Sequence, residues 1–137
     1  TWIDPKWKSP LLIISEISTN DSVRYSITAF EDSSVSFPYG SLKVVNLAGG
    51  KIIGSIGGNR VTLNNSQASR SFEINDDEKI LVAIAAESSS RHHLLYKNTL
   101  PLNEDGKSLL ILRPPRRNGS VKILGQLVIE YRPEAEY

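Results

Sequence analysis

The sequence predicts an all-β fold, an antiparallel β-sandwich of about eight to nine short strands with a β-meander over residues 41–63. Three observations carry this. In LKVVNLAGGKIIGSIGGNRVTL, residues 42–63, short β-branched runs are separated by Ala48-Gly49-Gly50 and Gly57-Gly58-Asn59. Glycine and asparagine reach positive φ at little cost, so each break reads as a hairpin turn. Similar turn signals recur along the rest of the chain, and no segment of about ten residues combines a 3.6-residue apolar period with caps at its ends.

Residues 1–10, TWIDPKWKSP, hold two prolines and no sustained alternation, and read as an extended arm carrying both tryptophans, Trp2 and Trp7. The remainder, 11–137, reads as a single sandwich domain. Leu11 to Ile17 is an apolar run suited to a strand buried on both faces. After the turn Asn20-Asp21-Ser22, the residues Val23, Tyr25, Ile27 and Ala29 alternate with Arg24, Ser26 and Thr28, the pattern of a half-buried strand. Residues 31–36 form a polar loop, and Phe37-Pro38-Tyr39-Gly40 leads into the meander. A second polar loop, 64–69, precedes a short strand near 71–74 and a turn at Asn75-Asp76-Asp77-Glu78. Ile80 to Ala86 is apolar on both phases and so belongs in the middle of a sheet. Arg91 to Lys97 and Leu109 to Arg113 read as two further strands, joined through Pro101 and the Asp105-Gly106 turn. In the last strand Val121, Ile123, Gly125, Leu127, Ile129 and Tyr131 share one face, with Lys122, Gln126 and Glu130 on the other.

Composition narrows the functional classes. A chain of 137 residues can bury a continuous core unaided. The absence of cysteine excludes disulfides, thiolate zinc sites and a cysteine nucleophile. Sixteen Lys and Arg stand against fifteen Asp and Glu, mixed along the chain for a net charge of +1. A general nucleic-acid or membrane-surface binder shows a larger excess or a single-sign block. No apolar run approaches the roughly 20 residues of a membrane helix. A chain that starts at Thr1 and contains no methionine reads as a processed product, from a removed signal peptide or a trimmed boundary.

His92 and His93 are adjacent in a predicted strand, where successive side chains point to opposite faces, so they cannot easily chelate one ion. Pro101 to Ser108 ends like a phosphate-binding loop, but it lacks the first glycine and leads into a strand where that motif needs a helix. The glycines at 49–58 lie inside hairpins and open no helix, so they are no dinucleotide fingerprint. No G-x-S-x-G elbow occurs, and only two histidines could serve a dispersed triad. Asp76-Asp77-Glu78 lacks the spacing of a calcium loop and reads as a solvated turn. Asn20, Asn64 and Asn118 fit N-x-S sequons at predicted turns.

The one concentration of like charge is Arg113-Pro-Pro-Arg116-Arg117-Asn-Gly119, between the last two strands. Prolines stiffen this loop and keep the guanidiniums of Arg113, Arg116 and Arg117 displayed, a pattern suited to carboxylate, sulfate or phosphate. The same charges could instead only guard a strand edge.

The order Phe37-Pro38-Tyr39-Gly40-Ser41 through Asn46-Leu47, then Ile56-Gly57, Val61-Thr62-Leu63, Leu95-Tyr96-Lys97-Asn98 and Leu109 to Leu112, resembles a family of exported bacterial β-sandwich proteins. In that family an FP-x-GS…NL opening leads into a glycine-rich meander. The resemblance covers roughly residues 11–131 and rests on turn and core positions; where the family has a Pro-Gly turn after the meander, this chain has Asn64 to Ser69. It implies export to the cell envelope or periplasm and carries over no functional residue.

The expected protein is a non-enzymatic exported sandwich module with a binding or structural role. Its expected partner is an anionic polysaccharide or an envelope protein, with no nucleic acid, no membrane span and no cofactor. A carbohydrate-binding module would need a platform drawn from Trp2, Trp7, Tyr25, Tyr39, Tyr96, Tyr131 and Tyr137. A hydrolase would need a deep polar pocket holding His92 or His93. Elemental analysis of the purified protein is expected to find no stoichiometric transition metal; zinc that survives dialysis and is lost on His92→Ala or His93→Ala would contradict the divergence of the two rings.

Overall fold

An apolar run such as Leu109 to Leu112, or the pair Val44-Val45, leaves no phase of its strand for water, so both faces must be covered. The computed structural model, which describes residues 3–73, 79–87, 92–116, 119 and 122–134, meets that demand with three layers. Among the described residues there are eleven strands: β1 (Pro10–Thr19), β2 (Ser22–Glu31), β3 (Ser41–Asn46), β4 (Ile52–Ile56), β5 (Asn59–Leu63), β6 (Gln67–Ala68), β7 (Phe72–Glu73), β8 (Lys79–Glu87), β9 (His92–Pro101), β10 (Gly106–Arg113) and β11 (Leu124–Tyr131). The all-β expectation holds, and the two short strands β6 and β7 account for most of the larger number. No helix of the described residues is long and apolar enough to cross a membrane.

The middle layer has the order β11-β10-β3-β6, with β7 also paired to β3. One outer layer is the sheet β5-β4-β8-β9, and the other is the β1-β2 ribbon. Leu42, Val44, Leu110 and Leu112 of the middle sheet pack against Ile52, Ile56, Val82 and Ile84 of the four-stranded sheet. The opposite phase, Val45, Leu109 and Ile111, packs with Phe30 and Phe37 beneath the ribbon, joined by Leu11 and Ile13. Each such side chain removed from water contributes about 1.5–3 kcal/mol. Ile80 to Ala86 lies mid-sheet between β4 and β9, as expected, but only its Ile80, Val82 and Ile84 phase is buried, and Leu81 on the other phase is 47% exposed.

The double burial expected of Leu11 to Ile17 is corrected. In β1 only Leu11 and Ile13 join the core, while Leu12 is 46% and Ile14 63% exposed. The ribbon is an outermost layer, so one of its faces meets solvent. The strands covered on both sides are β3 and β10, whose residues 41–46 and 106–112 are all buried.

The meander expected over 41–63 is likewise corrected, because only its second turn closes a hairpin. Gly57 and Gly58, at φ +55° and +80°, join β4 to β5 with Ile56 opposite Asn59. The first turn instead carries the chain from the middle sheet to the outer one. Both edges of β3 are already taken, by β10 and by β6 and β7. The fully buried Asn46 fixes the exit: its Nδ2 donates to the carbonyls of Gly50 (2.7 Å) and Leu63 (3.1 Å), and its Oδ1 accepts the Ala48 N–H (3.0 Å). The β3–β10 pair is parallel, with Lys43 opposite Leu109, and the other strand pairs of the described residues are antiparallel. The loop expected at 64–69 contains β6, where the Ser69 hydroxyl accepts the Val44 N–H at 2.9 Å in place of a ladder bond.

Two glycines admit close approaches. A Cβ on Gly125 would lie 2.5 Å from the Tyr96 ring, which thereby closes the sandwich between β9 and β11. A Cβ on Gly54 would strike the Ala83 carbonyl oxygen and lie 2.9 Å from Ile84 Cδ1. Gly54→Ala must therefore move backbone, and a loss of about 2–3 kcal/mol in urea denaturation is expected. Gly50→Ala, with nothing within 4 Å of the new atom, should stay within about 0.5 kcal/mol of the parent.

Candidate anion-binding site at the β10–β11 connection

Arg113 is the last residue of β10 and lies opposite Leu124, the first of β11, so the arginine loop does join the last two strands. Its guanidinium is exposed, and Nη1 reaches Gln126 Oε1 only at 3.5 Å. Arg113 and Pro114 line a cleft of about 240 Å³ between the ribbon and the middle sheet. Ser15 and Ser26, opposite one another on the ribbon, face Arg113 across it with Asn65 and Ser66. The polar wall is preset: Ser66 holds a left-handed φ of 63°, its N–H bonds the Asn46 carbonyl at 2.7 Å, and Asn65 Oδ1 accepts the Gly49 N–H at 3.0 Å. Glu16 is the carboxylate of the lining. Hydroxyls, amides and one guanidinium suit a small oxyanion-bearing group.

Pro115 is half-buried and lines a second cavity with Ile52, Ala86, Leu95 and Ile123. It pins the loop to the end of the main core and leaves Arg116 exposed beyond it. Arg117 and Asn118 lie outside the described residues, as do Trp2, the acidic turn 76–78 and Tyr137.

The other candidate residues scatter. His92 pairs with Glu87 and His93 with Ala86, so the rings leave opposite faces of β9, and both residues are exposed. Among the described residues no three His, Cys, Asp or Glu gather as a metal site. His92 borders an open groove of about 560 Å³ whose described lining includes no carboxylate. Pro101 ends β9 and Gly106 begins β10; the turn between them is closed by Asn103, whose Oδ1 accepts the Asp105 N–H at 2.9 Å. Tyr25 and Tyr131 are the exposed described rings, and they stand on different sheets. Asn20 and Asn64 are exposed beside their strands.

Sequence reasoning missed two buried lysines. Lys43 and Lys107 are 5% and 8% exposed, on the middle-sheet face beneath the ribbon. Lys107 Nζ bonds Asp32 Oδ1 at 3.0 Å and lies 5.1 Å from the Tyr39 ring centre. Lys43 Nζ sits between Phe30 (5.1 Å) and Phe37 (5.3 Å), where the π faces partly replace water. The signal was present in Ser41 to Asn46: a lysine inside a run apolar on both phases has no solvent face available. Burial pushes the Lys43 ammonium below its ordinary 10.5, against the pull of Asp32 and Glu31 and helped by the repulsion of Lys107.

Comparison with protein-family models, curated proteins and solved structures finds no match for this chain.

The lysine cluster has measurable consequences. Asp32→Asn leaves the buried Lys107 without its carboxylate and should lower stability by roughly 2–3 kcal/mol. The folded protein holds the Lys43 proton less tightly than the unfolded chain does, so wild-type stability rises as pH climbs from that lowered pKa towards 10.5. Lys43→Met should therefore be as stable as wild type or more so at pH 7, with the difference moving in wild type's favour as pH rises. Urea titrations of both proteins between neutral and alkaline pH check this.

Proposed function

We propose that this chain is a non-catalytic binding module of the bacterial envelope or periplasm that meets an anionic partner at the β10–β11 connection. Candidate partners are an acidic polysaccharide or an anionic patch on another envelope protein. The carrying observation is the placement of Arg113 at the mouth of a cleft with preset hydroxyl and amide groups, on a loop pinned by Pro115. Arg116 extends the same basic loop into solvent, and Arg117 follows it in sequence. Export is supported by the resemblance of Phe37 to Leu47 and the later core positions to exported sandwich proteins. An exposed guanidinium attracts anions over a screening length of about 8 Å at physiological salt, so binding is modest and salt-sensitive.

The test is retention on a sulfated dextran matrix. Arg113→Ser/Arg116→Ser should elute at clearly lower salt than wild type, with an unfolding midpoint close to the parent's, because exposed loop charges contribute little to the core. Unchanged elution would reduce the loop to a solvated hairpin end.

A further inference from the structure

A near-neutral chain can still separate its charges by face, because alternate residues of a strand leave opposite sides of a sheet. The β5-β4-β8-β9 sheet does this. Its inward phase is Val61, Leu63, Ile52, Ile56, Ile80, Val82 and Ile84, all in the main core. The cross-strand register places the outward phase in rows: Arg60, Ser55, Ala83 and Lys97 form one, and Thr62, Ile53, Ala85 and Leu94 the next. Further along β8 and β9, Leu81 lies opposite Thr99, and Lys79 opposite Pro101.

The resulting surface has two distinctive properties. Among its described side chains the charges are basic, and the position of Glu87 lies at the far end from Lys79, beside His92. No ion pair of the described residues involves Arg60 or Lys97. Its floor is low, since Ser55, Ala83 and Ala85 are small and Gly54 exposes backbone, so Ile53, Gly54, Arg60, Thr62, Ala85 and His92 border an open groove of about 560 Å³.

We propose that this outward face binds an extended acidic polysaccharide, with Arg60 and Lys97 as flanking cations and Lys79 at one end. Three strand spacings separate Arg60 from Lys97, roughly 14 Å, and four residues along β8 separate Lys79 from the same row, roughly 13 Å. Such spacing fits a polymer with one carboxylate or sulfate every sugar or two. Duplex DNA, with one charge per about 1.7 Å of its axis, calls for a denser run of cations. Single-stranded nucleic acid also calls for aromatic rings on which bases stack, whereas Tyr96, the aromatic residue of β9, packs inward on Gly125. The hydroxyls of Ser55, Thr62 and Thr99 instead offer sugar hydroxyls their counterparts. This face belongs to a different layer from the Arg113 cleft, and the proposal stands whether or not that cleft takes an anion.

The experiment measures binding of polygalacturonate to wild type, Arg60→Ser/Lys97→Ser and Lys6→Ser/Lys8→Ser at low salt, with oligothymidylate and uncharged dextran as comparison probes. Binding of polygalacturonate to wild type is expected to exceed that of both comparison probes. Loss of the two sheet cations should weaken it about tenfold and flatten its salt dependence, whereas Lys6→Ser/Lys8→Ser, which removes the same charge from exposed positions of the N-terminal arm, should retain most of the wild-type affinity. Equal affinity in the Arg60→Ser/Lys97→Ser protein, no affinity in wild type, or stronger binding of oligothymidylate would each overturn the proposal. So would a variant that self-associates while keeping the polymer, since Arg60 and Lys97 would then serve only to block the edges of β5 and β9. If circular dichroism shows the double variant unfolded, Lys97→Glu alone supplies the same reading, with a loss of several-fold expected and unchanged affinity overturning it.

Discussion

Strands β3 and β10 lie side by side with almost no side chain open to water, and the architecture follows from that double burial. Leu42, Val44, Leu110 and Leu112 need cover on one side, Val45, Leu109 and Ile111 on the other. A two-sheet sandwich supplies only the first. The β1-β2 ribbon supplies the second and makes a third layer, an arrangement that domains use occasionally. The parallel pairing of β3 with β10 belongs to the same solution. Parallel neighbours need a long crossover, and here the crossover is the entire outer sheet, built between the end of β3 and the start of β10.

Two charged side chains are buried between the middle sheet and the ribbon. Lys43 and Lys107 stand among apolar neighbours, and their ammonium groups are accommodated by Asp32 and the rings of Phe30, Phe37 and Tyr39. Three of these six residues, Asp32, Phe37 and Tyr39, lie between the end of β2 and the start of β3, and Phe30 lies near the end of β2, so the cluster fastens that connection onto the middle sheet. A buried ion pair seldom adds stability over well-packed apolar residues, but losing one partner from it is destabilising. The cluster thus adds a specific tie at Asp32 and Lys107 to the apolar contacts that hold the ribbon, and the same ribbon forms one wall of the Arg113 cleft.

Charge distribution follows from strand geometry in the same way. The sixteen basic and fifteen acidic residues are interspersed in sequence, and a running count along the chain gives no hint of a basic surface. Period-two alternation on four paired strands nevertheless sends Arg60, Lys79 and Lys97 to one face, while the residues between them enter the core. The three arginines at the β10–β11 connection were visible because they fall within five positions of the sequence; the sheet cations were not, because Lys79 comes 19 positions after Arg60 and Lys97 another 18 after Lys79.

Local pattern by itself determined the all-β class, the turn at Asn20-Asp21, the hairpin at Gly57-Gly58, the central place of Ile80 to Ala86 and the loop between the last two strands. Each depends on backbone preferences or side-chain period within about ten residues. Tertiary structure decided everything that depends on which strand edge is free. It turned the Ala48-Gly49-Gly50 turn into a crossing between sheets, because β3 had no edge left for β4. It exposed Leu12 and Ile14, because an apolar run specifies a need for cover without specifying which layer will provide it. It chose what covers Lys43: the apolar run around that lysine already left it no solvent face, but the covering segment, Phe30 to Phe37, adjoins it only in space.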